Sequence, residues 1–267
     1  MKTLSDGLSA VLKTGNASAK ANLALQLSFS WVSTSIMPLG VFSAPKRPTR
    51  VDGPTIKLAK EMPDRGRGNS LKNRIALLHA LVHIELNAID LACDLISRFG
   101  TPALPKAFFD DWVQVAGEEA THFQLLENRL KALGSFYGAL PAHNGLWEAA
   151  QKTSHDLLAR LAVVPLVLEA RGLDVSAKMI ENFMKAGDLE SAEILKRIYQ
   201  DEIGHVAIGN RWFSYICCSR KLDPPKIWPD LVGRYFNGKI KPPFNHEARA
   251  RAGFKHRDYQ KIPSKSG

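Results

Sequence analysis

Apolar residues recur at helical spacing over four long stretches of this chain. Around Glu85 they fall at Leu78, Leu81, Val82, Ile89 and Ala92, which places Glu85 itself on the hydrophobic stripe of one helix. The pattern predicts a long helix over residues 71–98, closed by Gly100 and Pro102. Pro105 and Gly134 bracket a second helix. A third begins near Trp147 or Glu148 and carries Glu169; its path must run on to about Ala186, bent or interrupted at Pro165 and at residues 172–174. A fourth starts near Asp188, just after Gly187, and reaches about Arg220. Trp112, Phe123, Trp212 and Phe213 read as core and interface aromatics of these helices.

The flanks have a different texture. Residues 17–31 mix Leu23, Leu25, Leu27, Phe29 and Trp31 with Ser, Asn and Gln, as one amphipathic helix does. Residues 37–70 hold Pro38, Pro45, Pro48, Pro54 and Pro63, and read as an extended arm packed over the surface. Past residue 220, Pro224, Pro225, Pro229, Pro242 and Pro243 predict a return to extended chain. The expected organisation is therefore all-α: an N-terminal helix and wrapping arm (1–70), a four-helix unit (71–220) and a basic Pro-rich tail (221–267).

Composition narrows the field. The 267 residues are enough for a substantial core. Three cysteines, two of them adjacent, exclude a disulfide framework and a thiolate metal site, and suit a reducing cytosol. No run of uninterrupted apolar residues is long enough to span a membrane, and the first residues lack the pattern of a cleavable signal. The net charge of +10 is uneven. Residues 71–217 hold 14 Lys/Arg against 18 Asp/Glu, residues 1–70 hold 10 against 4, and residues 218–267 hold 12 against 4. An acidic centre lies between basic flanks. The plain reading is that basic arms wrap an acidic core; the other is a nucleic-acid contact, with Arg249, Arg251, Lys255 and Arg257 of the tail against phosphates.

The chemistry is concentrated in a repeat. Two Glu-x-x-His pairs, Glu119/His122 and Glu202/His205, each follow a lone carboxylate, Glu85 and Glu169, by 34 and 33 residues. With 12 Glu and 8 His in the chain, chance placement gives about 0.4 such pairs. Residues three apart on a helix share a face and can reach one ion. Glu169 follows the uncharged run Leu161-Ala-Val-Val-Pro-Leu-Val-Leu. A carboxylate aimed into a core costs several kcal/mol unless it is paired, protonated or bound to a cation. Four carboxylates and two imidazoles form the ligand set of a two-metal site built inside a four-helix bundle. The competing reading is ordinary salt-bridged glutamates beside two satisfied core histidines. Depth agrees with a shared site: Glu85 and Glu119 each lie about 14 residues, roughly 20 Å, from the turn joining their helices.

At these residues the chain resembles the ferritin-like di-iron carboxylate superfamily. More closely, the runs His79-Ala-Leu-Val-His83-Ile-Glu85-Leu-Asn-Ala-Ile-Asp90, Glu118-Glu-Ala-Thr-His122-Phe, Leu168-Glu-Ala-Arg-Gly-Leu-Asp174, Tyr199-Gln-Asp-Glu-Ile-Gly-His205-Val and Lys241-Pro-Pro-Phe-Asn245 look like the uncharacterised bacterial family "domain of unknown function 455". The resemblance implies a ferritin-like four-helix bundle, for which the 13-residue connector 134–146, about 40 Å if extended, is long enough to be the crossover between the second and third helices. It implies Glu85, Glu119, His122, Glu169, Glu202 and His205 as metal ligands. It also implies Asp201 as the residue orienting His122, and Glu118 as its counterpart for His205.

Other polar residues stand beside the set. His79, His83 and Asp90 form a second stripe on the first long helix, read as an inter-helix hydrogen-bond network or, functionally, as a proton relay to the metals or an extra ligand. Arg171 is expected to pair with a carboxylate near the site, and Tyr199 is a core tyrosine with a weaker alternative as a redox-active phenol. Carboxylate and imidazole ligands favour iron, with manganese or a mixed manganese–iron pair as alternatives. The expected activity is oxygen activation on an organic substrate. Alternatives are a ferroxidase or peroxide scavenger, a tRNA-modifying hydroxylase using the basic flanks, and a non-catalytic metal-binding protein. Expected partners are O2, a small molecule, an electron donor and further copies of the chain, in the cytoplasm.

Overall fold

The computed structural model describes residues 2–33, 37–51, 53–63, 65–66, 68 and 70–260, and is all-helical, with no strand among these residues. Two helices open the chain, α1 (Leu4–Lys13) and α2 (Ala17–Ser33). Two long ones follow, α3 (Leu71–Phe99) and α4 (Lys106–Ala132). The next stretch is α5 (Gly145–Lys152), α6 (Leu157–Val163), a π-helical segment (Val164–Glu169) and α7 (Ala170–Lys185). Then come α8 (Leu189–Ser219), α9 (Pro224–Tyr235), α10 (His246–Arg251) and α11 (His256–Gln260).

Local chemistry explains the boundaries. Ser70 and Asp188 accept the N3 amides of Asn73 and Ser191, supplying caps for α3 and α8. Asp188 also receives Arg129 at 2.8 Å and Arg74 at 3.2 Å, so the start of α8 is tied to α4 and α3. Gly100 ends α3 and Pro105 precedes α4, as expected. The short turn between them pairs the two helices along their length, burying Leu78, Val82, Leu86 and Ile89 against Trp112, Ala120, Phe123 and Leu126. In the second half α7 and the π segment pack on α8, and α8 returns to α4. By length and composition alone α3 is apolar enough to cross a membrane, and 67% of its most apolar 18-residue stretch is buried inside the protein.

Four features differ from the sequence reading. First, α1 was not foreseen; Thr3 and Asp6 form its capping box, and it sits on α2 and α3. Second, the expected third helix has a further break: Trp147 belongs to α5 and the chain leaves the helix at residues 153–156, while the expected interruption at Pro165, which cannot donate to the ladder, is a π bulge. Third, residues 172–174, expected as a weak point, lie within regular α7. Fourth, the C-terminal segment is largely helical. Asn245 caps α10, and Arg249 is buried, bonded to both Asp174 oxygens at 2.8 and 2.7 Å and stacked over Tyr259. Arg249 thus holds the tail against α7 and does not offer its charge to a phosphate.

Among its described residues the arm has no regular structure apart from one 3-10 turn, Ala59–Glu61. A parallel bridge joins Ile56 to Ala142 in the α4–α5 connector. Lys20 of α2 and Arg50 of the arm both reach Asp90, at 2.5 and 2.9 Å. His79 Nε2 accepts the amides of Gly138 and Leu140. His83 takes the Tyr137 hydroxyl at one ring nitrogen and the His143 carbonyl at the other. These histidines therefore dock the connector onto α3, and among the described residues no hydrogen bond joins them or Asp90 to the glutamate–histidine set.

Two stability predictions follow from this packing. Arg160 is buried and donates to Asp94, the Thr153 hydroxyl and the Ala150 carbonyl. Arg160→Ala leaves Asp94 with Arg98 alone and is expected to cost about 3 kcal/mol in urea unfolding, the low end for breaking a buried pair. Burial, aided by the charge of Arg65, pushes the His79 imidazole from its ordinary 6.5 down to about 4. The unfolded chain then binds the extra proton, so this contribution is complete above about pH 6.5 and is lost as pH falls toward 4. The slope from this residue reaches at most about 1.4 kcal/mol per pH unit. His79→Gln should flatten unfolding free energy against pH across that window relative to the parent.

Candidate metal centre

Four separate elements bring the expected residues to one level of the interior. Glu85 comes from the middle of α3, Glu119 and His122 from α4, Glu169 from the last position of the π segment, and Glu202 and His205 from α8. The path to Glu169 depends on one close approach. A Cβ on Gly209 of α8 would collide with the Pro165 ring, so only glycine there lets the π segment lie against α8.

The geometry is centred on Glu119. Its Oε2 lies 3.6 Å from His122 Nδ1 and its Oε1 3.0 Å from His205 Nδ1, so one carboxylate stands between two imidazoles. His122 Nδ1 is also 3.2 Å from Glu85 Oε2, and His205 Nδ1 is 3.6 Å from Glu202 Oε1. Glu85, Glu119, His122 and Glu202 each offer a ligand atom within 4.8 Å of the others. Both imidazoles turn Nδ1 inward and Nε2 outward. His122 Nε2 meets Asp201 at 3.0 Å, and His205 Nε2 meets Glu118 at 2.7 Å. Gln114 in turn donates to Glu118 at 2.9 Å.

The donor set suits cations on two grounds. Both Glu119 oxygens, Glu169 Oε2 and His205 Nδ1 are buried without a hydrogen-bond partner, although native interiors satisfy nearly all such atoms. The 3.0 Å approach of His205 to Glu119 is close but off the donor axis. The protonation pattern is the second ground. Burial, reinforced by the Glu119 charge, holds Glu85 well above the usual carboxylate range and raises Glu202. Burial with the charges of Glu202 and Glu119 lifts Glu169 to about 8. Burial alone would raise Glu119 too, but the two imidazoles outweigh it and pull it below its usual range. Burial opposes charge on the histidines, yet Glu119 and Glu85 push His122 up to about 11, and Glu118, Glu119 and Glu202 push His205 well above 6.5. Raised carboxylates and imidazoles of this kind are groups from which a divalent cation would displace protons on binding.

A cavity of about 370 Å3 opens onto this cluster, with Glu85, Glu119, Glu169 and Glu202 among its lining. Its walls are mostly apolar, including Leu81, Leu146, Leu168, Met179 and Ile198. Glu85 and Glu119 are fully buried beneath it, whereas Glu169 and Glu202 are half-buried.

Two other expected residues hold the C-terminal segment. Arg171 lines the cavity, but donates to the Lys241 and Pro243 carbonyls at 2.9 and 3.0 Å and only distantly to Asp174. It anchors the tail and touches none of the six. Tyr199 accepts from Asn245 at 2.8 Å and does not line the cavity. Sequence reasoning missed Arg65 in the cavity wall and Gln114 behind Glu118, neither of which carries a motif.

The family comparison agrees with the motif reading. Residues 13–260 match the family described as Protein of unknown function (DUF455). The chain belongs to that family. It is also similar to an uncharacterized protein of Haemophilus influenzae, with 43% identity over 206 residues that cover 75% of this chain and 71% of that protein. No solved structure matches the chain. The family carries no stated activity, so function must be argued from the site.

Asp201 and Glu118 give a direct test of the outward hydrogen bonds. Replacing either by Ala should weaken metal binding about 10–100-fold, read by competition with a chromophoric chelator, while the helical circular-dichroism signal stays intact. Unchanged affinity in both variants would show that the two imidazoles do not act as metal ligands.

Proposed function

We propose that the six residues hold two metal ions inside a ferritin-like four-helix bundle, and that the protein is an oxygen-activating oxidoreductase acting on an organic molecule in the adjoining cavity. The bundle consists of α3, α4, the π segment with α7, and α8. Iron is the first choice of metal, and manganese or a mixed pair is the second. The observation that carries the reading is Glu119, buried without hydrogen-bond partners between two inward-facing Nδ1 atoms. A salt-bridged core glutamate would have its oxygens satisfied.

Two iron(II) ions, when bound, supply two electrons to dioxygen at one place. The chain's own residues do the rest. Asp201 and Glu118 hold the Nε2 protons, which fixes the tautomer and leaves each Nδ1 free to ligate. Glu85 and Glu169 release protons as cations arrive. The apolar walls keep water from the reacting face and leave room for a substrate beside Glu169 and Glu202. That same apolar wall weighs against iron handling, which needs a polar route for ions. The burial of Arg249 weighs against the RNA reading.

The test is anaerobic loading of the apoprotein with iron(II), counting metals per chain, followed by oxygen uptake. Two irons per chain with oxygen consumed, and loss of both in Glu119→Ala and His205→Ala, is the expected result. Fewer than one metal per chain would refute the centre. Two metals with no oxygen uptake would leave a non-catalytic metal protein.

A further inference from the structure

The cavity beside the centre has a cation in its wall, Arg65, that makes no ion pair among the described residues. Its other polar lining groups are committed. Arg171 is held by two carbonyls, the Ser176 hydroxyl donates to the Gly172 carbonyl, and His143 Nδ1 accepts the Gly145 amide. Arg65 is half-buried, lines the same cavity, and meets no carboxylate among the described residues. Its charge is felt by His79 and His143, which places it at the end where the arm and connector cross α3. Glu119 at the other end is 1% exposed.

The rest of the lining is mostly hydrocarbon. From α3 come Leu77, Leu81, Ile84, Ala88 and Leu91, an i, i+4, i+7 stripe. Ile84 stays 42% exposed, although a packed helix buries such a position. Opposite it, α7 contributes Val175 and Met179. A half-buried guanidinium with no carboxylate partner among the described residues, in the wall of an apolar channel, suits a charged head followed by an apolar body.

We infer that the cavity binds an organic anion with an elongated apolar body, its anionic head on Arg65 and its apolar end directed at Glu169 and Glu202. As a substrate class this rests on the oxidoreductase reading, and it places oxidation on the apolar end, remote from the head. An uncharged or short polar molecule would leave either Arg65 unpaired or the apolar wall wet.

The probe is dodecanoate, with dodecanol as the uncharged control, titrated into full-length protein with and without iron and followed by calorimetry. Dodecanoate should bind more tightly than dodecanol. Arg65→Gln should weaken dodecanoate about tenfold or more and leave dodecanol unchanged, while Arg65→Lys restores most of the difference. Gly172 offers the steric arm: an added Cβ there meets nothing within 4 Å, so Gly172→Phe can fill the cavity without breaking α7. It should abolish binding of both probes with iron content preserved. Equal affinity for the two probes, no binding of either, or an Arg65→Gln variant that binds dodecanoate normally would overturn the inference. Iron stoichiometry on the same samples separates the two readings. Two irons without dodecanoate binding sinks the substrate class alone, and dodecanoate binding without iron sinks the metal centre alone.

Discussion

The structure is organised around the burial of one ionised carboxylate, Glu119, among three more carboxylates and two imidazoles. In a low-dielectric interior such a group must be neutralised, and the neighbours show how. The histidines are pushed toward their charged forms and Glu85, Glu169 and Glu202 toward their neutral forms, so the six groups share a small number of protons around one negative centre. This is a costly state for a protein to build without a cation. Everything that fixes the helices' relative depth serves it. The α3–α4 turn sets Glu85 level with Glu119. The Asp188 cap, tied to Arg129 and Arg74, sets the start of α8 and hence the height of Glu202 and His205.

Glu169 reaches the same level by another route. A straight helix through Pro165 would lose a hydrogen bond and meet the proline ring, and the chain answers with a π-helical turn that ends on Glu169 itself. The widened turn needs room on α8, which Gly209 provides. The irregularity is therefore part of how the fourth carboxylate is delivered. It also explains why Glu169 and Glu202 remain half-buried and face the cavity, while Glu85 and Glu119 lie sealed beneath.

Much of this was legible in the residues. The long helices could be read because their apolar stripes are uninterrupted and their ends carry Gly, Pro or Asp, as at Gly100, Pro105 and Asp188. The Glu-x-x-His spacing placed each pair on one helical face, and the structure puts Asp201 and Glu118 on the outer nitrogens of His122 and His205. What could not be read depends on tertiary partners. The tail looked extended because its prolines suggest so, yet Pro224 and Pro225 begin a helix, where a missing N–H costs nothing. Residues 172–174 looked like a break because glycine and aspartate weaken isolated helices. Packing on α8 and the buried pairing of Asp174 with Arg249 override that preference. Arg65 belongs to no periodic pattern, so only the folded arm shows where it lies.

The centre is two-sided, and the sides are chemically opposed. On the outer side the imidazole Nε2 atoms lean on Asp201 and Glu118, whose side chains are 32% and 34% exposed. Protons can therefore exchange between solvent and the histidines without entering the cavity. On the inner side the glutamates face a space walled mostly by leucine, isoleucine and other apolar side chains, where water has few partners. A site meant only to stabilise the fold would gain nothing from such a space, since an apolar void beside buried carboxylates forfeits packing contacts and lowers stability. Retaining it makes sense if the void is filled during use by a molecule whose surface matches the walls, and that requirement links the glutamates to a substrate rather than to folding alone.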